Sequence, residues 1–451
     1  MASPVEIEVW PKEVGADFLI ARTGRAAERD AGLSLSVALG GLPLAHEQAA
    51  AYCERLGMPF SNYATKFANA PGKYLGDAGT APEQYHNGLT VSKTFALAID
   101  EAAKLHTAAE ALITYAALLA PEPIPLFLFA EGRGKFSEPF ASALAGDGLD
   151  EAVGALRAFA LVDREAILDE RDPSIATDCI RLHRLVREVA ATRRRAETRA
   201  EIRCELIAAT ARVYPGDVHR NPATWPRARR LDAIALALVG ESDDLPAGSE
   251  ISAATLLSGL DSYRDGALAA YAEAQKLSER ALAINEKALG PDHPDTASSL
   301  NNLGYLLQAQ GDLAGTRPHY ERALAIREKA LGPDHPDTAR SLNNLGYLSQ
   351  AQGDLAGARP YYERALVIRE KALGPDHPDT ALSLNNLGDL LRAQGDLAGA
   401  RTYCERALDV CEKKLGFAHQ RTRAVAENTA GLLDELGLEA EAQSIRQKFG
   451  A

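Results

Sequence analysis

The string Gly290-Pro-Asp-His-Pro-Asp-Thr-Ala297 returns at Gly332 and at Gly374, with a decayed copy at Gly416, so the chain repeats itself every 42 residues. A fixed period of this size marks stacked supersecondary units. Each period holds two helical patterns. In the first, Leu300, Leu303, Gly304 and Leu307 fall at i, i+3, i+4 and i+7, one face of an amphipathic helix, here helix A. In the second, helix B, Tyr320, Ala323 and Leu324 form the apolar stripe. Helix B ends near Leu331, because Gly332 accepts the left-handed conformation and Pro333 forbids continuation. Gln310-Gly311-Asp312 supplies a turn and an N-cap between the helices, while Pro294 and Asp295 open helix A with a fixed φ and a negative charge at the positive end of the dipole. Small residues at Gly304, Gly346 and Gly388 in helix A, and at Ala323, Ala365 and Ala407 in helix B, are expected to let the paired backbones approach closely. Pro318 and Pro360 fall inside helix B where the third unit has Thr402; an interior proline costs about 3 kcal/mol, so helix B either starts late there or bends.

One such pair cannot bury its own stripe, and about three or more copies must stack into a solenoid. Three clear units, a degenerate one at 251–290 and a partial one from 417 predict an array over 251–450. The units differ at Ser298/Arg340/Leu382, Tyr305/Tyr347/Asp389 and Gln308/Gln350/Arg392. These positions and Asn301/Asn343/Asn385 are three or four residues apart, one face of helix A away from the leucines. This face is expected to be concave, aromatic and neutral at one end and charged at the other. Asparagine in mid-helix costs roughly 0.5 to 0.7 kcal/mol relative to alanine, and neighbours about 100° apart cannot both face a ligand. We therefore expect Asn301, Asn343 and Asn385 in the groove and Asn302, Asn344 and Asn386 between repeats; the alternative is that both sets only bond between repeats. The recurring Asp-His-Pro-Asp is read as capping rather than as a metal site, because each motif carries its own turn and no neighbouring cluster completes a coordination sphere.

Leu300-Asn-Asn-Leu-Gly304, then Gln-Gly-Asp-Leu-Ala-Gly, then Tyr320-Glu-Arg-Ala-Leu-Ala-Ile-Arg-Glu-Lys-Ala-Leu-Gly-Pro-Asp-His-Pro336 resembles the kinesin-light-chain type of tetratricopeptide repeat. The resemblance implies a groove along helix A that holds an extended peptide of a partner protein. On that reading Asn301, Asn343 and Asn385 would bond peptide backbone, Tyr305 and Tyr347 would add apolar contact, Asp389 and Arg392 would select charge, and Gln308, Gln350 and Arg340 would line the same groove.

At 451 residues the chain is about three times the soft prior for one domain. Forty-six per cent hydrophobic and 25% charged residues are ordinary globular composition. A net charge of -13 repels phosphate backbones, so a nucleic-acid partner is disfavoured. Residues 1–10 show no signal-peptide pattern, and the most apolar stretch, Ala111 to Ala130, is broken by Pro121, Pro123 and Pro125. Five cysteines without a CxxC pair suit a reducing compartment. The expectation is a cytoplasmic protein without a membrane partner.

Residues 1–250 carry no repeat and read as mostly helical, with β-like runs at Val5–Val9 and Leu156–Val162. Leu39-Gly-Gly-Leu-Pro-Leu-Ala45 is a Gly-rich turn into a helix with Pro43 in its first turn. Ile180-Arg-Leu-His-Arg-Leu-Val186 sets His183 in an apolar stretch, by default a satisfied core histidine. In order with Phe18–Gly24, Leu89–Phe95, Ala120–Pro125 and Pro222–Pro226, these strings resemble the helical and winged-helix parts of NB-ARC-type signal-transduction ATPases of the STAND class. The resemblance implies that Pro43 packs near a nucleotide base and that His183 reaches the ADP β-phosphate. It divides the chain into the end of a nucleotide-binding domain (1–35), a helical subdomain (36–80), a winged-helix-like domain (81–195), a connecting helical segment (196–250) and the repeats. No Gly-x-x-x-x-Gly-Lys-[Ser/Thr] occurs, and Gly132-Arg-Gly-Lys-Phe136 lacks its spacing and hydroxyl. We therefore expect no ATPase activity and no bound cofactor from this chain alone, which reads as a truncated or degenerate relative.

His46-Glu47 lacks the second histidine of a zinc-protease helix, and no nucleophile elbow is present. Arginines from Arg181 to Arg203, with Arg193, Arg194 and Arg195 adjacent, follow the winged-helix-like segment; interleaved Glu188, Glu197, Glu201 and Glu205 read them as a solvated, salt-bridged helix. The expected fold is all-α dominated, a superhelix of repeats preceded by a helical subdomain and a winged-helix-like domain. The expected function is non-catalytic protein binding. The alternatives are the sensor part of a nucleotide-driven switch and, more weakly, a DNA-binding regulator.

Overall fold

The computed structural model describes residues 10–69, 91–193, 196–219, 221–240 and 245–450. Val5–Val9, Arg194 and Arg195 lie outside them, as do Leu89 and Thr90. The chain divides into two compact units, 1–259 and 260–451.

In the first unit, α1 (Lys12–Thr23), α2 (Arg29–Ala38), α3 (Pro43–Leu56) and α4 (Phe60–Asn69) surround a core of Leu19, Leu35, Leu39, Phe60, Tyr63 and Phe67. Then follow α5 (Val91–Leu105), α6 (Ala109–Ala117), β1 (Ile124–Pro125), α7 (Leu126–Gly132), α8 (Phe140–Ala143), α9 (Gly148–Arg157), β2 (Val162–Leu168), β3 (Ala176–Leu182) and α10 (Arg184–Thr192). The strands form an antiparallel sheet in the order β1-β3-β2, with Val162 opposite Leu182 and Ile124 opposite Ile180. The β-run expected at Leu156–Val162 is corrected here. Val153 and Leu156 are buried on α9, Ala160 turns the chain at φ 52°, and the strand begins only at Val162. Two helices, α11 (Ala196–Val213) and α12 (Trp225–Val239), complete the segment before the repeats.

α13 (Glu250–Leu268) and α14 (Tyr271–Ala288) lead into four regular pairs: α15 (Pro294–Ala309) with α16 (Leu313–Ala330), α17 (Pro336–Ala351) with α18 (Leu355–Leu373), α19 (Pro378–Ala393) with α20 (Leu397–Leu415), and α21 (Gln420–Glu435) with α22 (Glu439–Phe449). The repeated octapeptide closes each junction. Gly290, Gly332, Gly374 and Gly416 take positive φ, and the hydroxyls of Thr296, Thr338 and Thr380 donate back to the carbonyls of Gly290, Gly332 and Gly374. The N-cap is the histidine itself: Nδ1 of His293, His335, His377 and His419 accepts a backbone N–H two residues on, at 3.1 Å in each case. At the other junction Asp312, Asp354 and Asp396 cap helix B through Gly315, Gly357 and Gly399. Helix B does not start late: Pro318 and Pro360 stand inside α16 and α18. Each A helix packs on its own B helix and on the B helix before it, and also touches the A helix of the next unit.

Candidate peptide-binding face

On each A helix the outward stripe runs in steps of four, three and four: Ser298, Asn302, Tyr305, Ala309 in α15, and Arg340, Asn344, Tyr347, Ala351 in α17. The same register gives Leu382, Asn386, Asp389 and Ala393 in α19, and Ala424, Asn428, Gly431 and Glu435 in α21. Tyr305 and Tyr347 are 43% and 59% exposed. Arg340 is exposed as well and pairs with Asp337 at 3.3 Å.

Asn301, Asn343 and Asn385, expected in the groove, are instead buried in the array, while Asn344, expected between repeats, does bond across to Asn301 of the preceding unit. Asn301, Asn343 and Asn385 are only 6–7% exposed and their amides are used inside the array. Asn301 donates to the Ala297 carbonyl at 2.9 Å and accepts from Asn344 of the next unit at 3.1 Å. Asn343 reaches Ser383 of the next unit, and with its amide turned the oxygen accepts from Arg369 at 2.7 Å. Asn385 donates to Asp389 at 3.1 Å and accepts from Asn428 at 3.3 Å. Half-buried Asn302, Asn344, Asn386 and Asn428 therefore form the outward row; the sequence reading missed them by one residue.

Gln308 and Gln350 accept from the hydroxyls of Tyr320 and Tyr362 at 3.1 and 3.2 Å. They hold the B-helix tyrosines rather than open the face to a ligand. In the third unit Cys404 replaces the tyrosine and Arg392 replaces the glutamine. Relieved of that duty, Arg392 reaches Glu435 of the last unit at 2.5 Å. Asp389 stays half-buried, and burial raises its carboxyl to about 6 against a weaker opposing pull from Arg392.

Behind the stripe lies a second feature the sequence reading did not see. Arg327 and Arg369, 1% and 5% exposed, end their B helices with no carboxylate partner among the described residues. Arg327 donates to the Asp337 carbonyl and to Ser341, and Arg369 to the Asp379 carbonyl and to Ser383. Burial pushes both guanidiniums down to about 10. The signal was Arg on the apolar stripe of helix B, four residues after Ala323 and Ala365, where the preceding unit has Asn285 bonded to Ser299.

The residues carried over from the ATPase resemblance both lie in the first unit, and His183 bonds to Gly40, three residues before Pro43. Pro43 is the first residue of α3. His183 caps α10, its Nδ1 accepting from the Leu185 N–H at 3.2 Å, which leaves the proton on Nε2, donated to the Gly40 carbonyl at 2.9 Å. The ring fits only because residue 40 is glycine: an added Cβ would lie 2.6 Å from it. With its one N–H given to the Gly40 carbonyl, His183 has no proton left for a phosphate in this arrangement. Among the described arginines of the basic cluster, Arg187 and Arg193 turn to partners other than the interleaved glutamates. Arg187 donates to the carbonyls of Ala116 and Leu119, Arg193 to Asp100 and Glu110, and Arg203 to the Leu238 carbonyl. No described helix is long and apolar enough to cross a membrane.

Residues 267–315, 300–366, 343–413 and 382–448 match the tetratricopeptide repeat family model. No curated protein matches the chain. Among solved structures, the chain is similar to a kinesin light chain with nearly identical TPR-like repeats from Podosopora anserina, at 26% identity over 43% of this chain and 91% of that one, with a TM-score of 0.37. It is also similar to BtubC (BKLC) from P. vanneervenii, at 20% identity over 57% of this chain and 91% of that one, with a TM-score of 0.40, and to the apo form of RapI, at 13% identity over 71% and 94%, with a TM-score of 0.42. By that family match, residues 267–448 are tetratricopeptide repeats, which supports a protein-interaction module.

Proposed function

We propose that the array holds an extended peptide of a partner protein along the outward stripe of its A helices. The observation that carries this reading is the pair Tyr305 and Tyr347: large, partly exposed rings at the same register of consecutive A helices, beside a row of asparagine amides. Exposed aromatic rings aligned with amide donors suit an extended chain, whose backbone needs hydrogen bonds and whose side chains need apolar contact. Each peptide-backbone bond would contribute about 0.5 to 1.5 kcal/mol. The donors are Asn302, Asn386 and the second N–H of Asn344, whose first is given to Asn301, with Asn301, Asn343 and Asn385 fixing the spacing of the helices behind them. No catalytic role is proposed. The test is selection of peptides from a random library on the immobilised full chain. Recovered peptides are expected to lose binding to the Tyr305→Ala/Tyr347→Ala variant at an unchanged thermal midpoint; equal binding to that variant would remove the face from consideration.

A second reading concerns residues 12–192. The order α6-β1-α7-α8-α9-β2-β3 with sheet order β1-β3-β2 supports a winged-helix-like module, and the bond from His183 to Gly40 supports its docking on a helical subdomain, as in the sensor part of a switch. DNA binding is the less favoured use: α9, which precedes the hairpin, carries Asp150 and Glu151 in its first turn, where phosphate would be repelled. A salt-dependent shift of duplex DNA by the full chain would reverse that preference.

A further inference from the structure

The outward row that reads Tyr305, Tyr347 in the first two units becomes Asp389 in the third and Gly431 in the last. One oxygen of Asp389 accepts from Asn385 Nδ2 at 3.1 Å and from Asn428 Nδ2 at 3.3 Å. Both donors are neutral amides. Arg392, one turn further on, gives its guanidinium to Glu435 at 2.5 Å, and among the described residues no ammonium or guanidinium lies within ion-pair distance of Asp389. A half-buried carboxylate whose nearby cation, Arg392, is paired with Glu435 rather than with it is costly to keep ionised, and the raised carboxyl shows that cost. A cation arriving at the face would relieve it. The same register on the preceding helix presents Tyr347, the most exposed of the two rings, whose π-face attracts a cation and whose edge packs against methylenes. The exposed cation nearby on that helix, Arg340, lies seven residues from Tyr347, about 10 Å along the axis, and is paired with Asp337. It does not compete for Asp389.

We propose that the third-unit end of this face takes a lysine or arginine side chain of the bound peptide, its charge on Asp389 and its aliphatic stem along the Tyr347 ring. The proposal rests on the peptide reading above and adds to it the chemistry of one ligand position. It also assigns charge selection to Asp389 alone, since Arg392 is engaged by Glu435.

The test uses the peptides recovered from the random library on the full chain. They are expected to share Lys or Arg at one position, and replacing it with norleucine should weaken binding about tenfold by calorimetry. Asp389→Asn keeps the size and hydrogen-bonding capacity of the side chain; it should bind the cationic and norleucine peptides alike. Asp389→Tyr, the residue of the two earlier units, should do the same if Asn perturbs the fold. Cationic peptide bound equally well by wild type and Asp389→Asn would overturn the proposal, as would recovered peptides with no shared cation. If such peptides still depend on Tyr305 and Tyr347, only this assignment fails; if no peptide is recovered at all, the peptide reading falls and this one with it.

Discussion

A carboxylate enclosed between helices titrates differently from one in water, and Asp261 is such a group. It is 3% exposed and accepts from the hydroxyls of Ser262 and Ser278. Burial, with nearby Asp265 adding to it, lifts its carboxyl from 3.8 to about 7. The folded state therefore binds more protons than the unfolded state between those values, so stability is full at the acid end of that window, falls as pH rises through it and is level above. Asp261→Asn cannot ionise. Its stability gain over wild type, read from urea midpoints, should be larger at about pH 7.5 than at about pH 4.5; an equal gain at both would show that Asp261 is charged throughout. Residue-scale physics also explains the one-residue error in the asparagine assignment. Asn301 and Asn302 both flank the leucine stripe, and sequence periodicity alone cannot say how wide the buried arc is. Because each A helix lies against the A helix of the next unit as well as its own B helix, the arc widens past the leucines and takes in Asn301, leaving Asn302 outward.

At the scale of the helix pair, the glycines expected to let two backbones meet instead receive a side chain. A Cβ at Gly304 or Gly346 would lie 2.6 and 2.8 Å from the ring of Tyr320 or Tyr362, and at Gly388 2.5 Å from the Cys404 sulfur. The ring then hands its hydroxyl to Gln308 or Gln350, so residues 12 apart on different helices form one unit of design. This pairing was written in the sequence as a matched change, Tyr to Cys with Gln to Arg, but only the structure shows the two positions touching. It makes a testable coupling. Cys404→Tyr alone would set a phenol against Arg392, and Arg392→Gln alone would leave Glu435 without its cation. Together they rebuild the arrangement of the two earlier units. Urea denaturation should show the double variant more stable than the sum of the single effects by about 1 to 2 kcal/mol; simple additivity would refute the pairing. The β-hairpin shows the opposite case, an element hidden from pattern. β2 reads Val-Asp-Arg-Glu-Ala-Ile-Leu and is mostly exposed, tied to β3 by the diagonal ion pairs Arg164–Asp178 and Glu165–Arg181, so no apolar alternation announces it.

For the array as a whole, the 42-residue period made the fold legible, because identical turns force identical pairs and the only way to bury their stripes is to stack. The same argument fails for the first unit, where nothing repeats and the core joins distant segments: Leu185 and Val189 of α10 pack with Leu35 and Phe60, contacts that no local pattern announces. Near-identity of the units has a further consequence. Repeat arrays are held by the stability of each unit plus its interfaces with two neighbours, so an end unit has one interface to lose and a middle unit has two. The histidine caps allow this to be measured with one chemical change, since His335 and His419 make the same 3.1 Å bond to a backbone N–H. Loss of a side-chain cap costs about 1 kcal/mol locally. His419→Ala should speed amide hydrogen exchange in α21 and α22 and leave earlier pairs unchanged. His335→Ala weakens a unit that supports both its neighbours, so exchange should rise in α15 through α20 and the denaturation midpoint should fall further than for His419→Ala. Matching exchange maps for the two variants would mean that the array unfolds as one cooperative block, and that the neighbour-by-neighbour account of its stability does not hold.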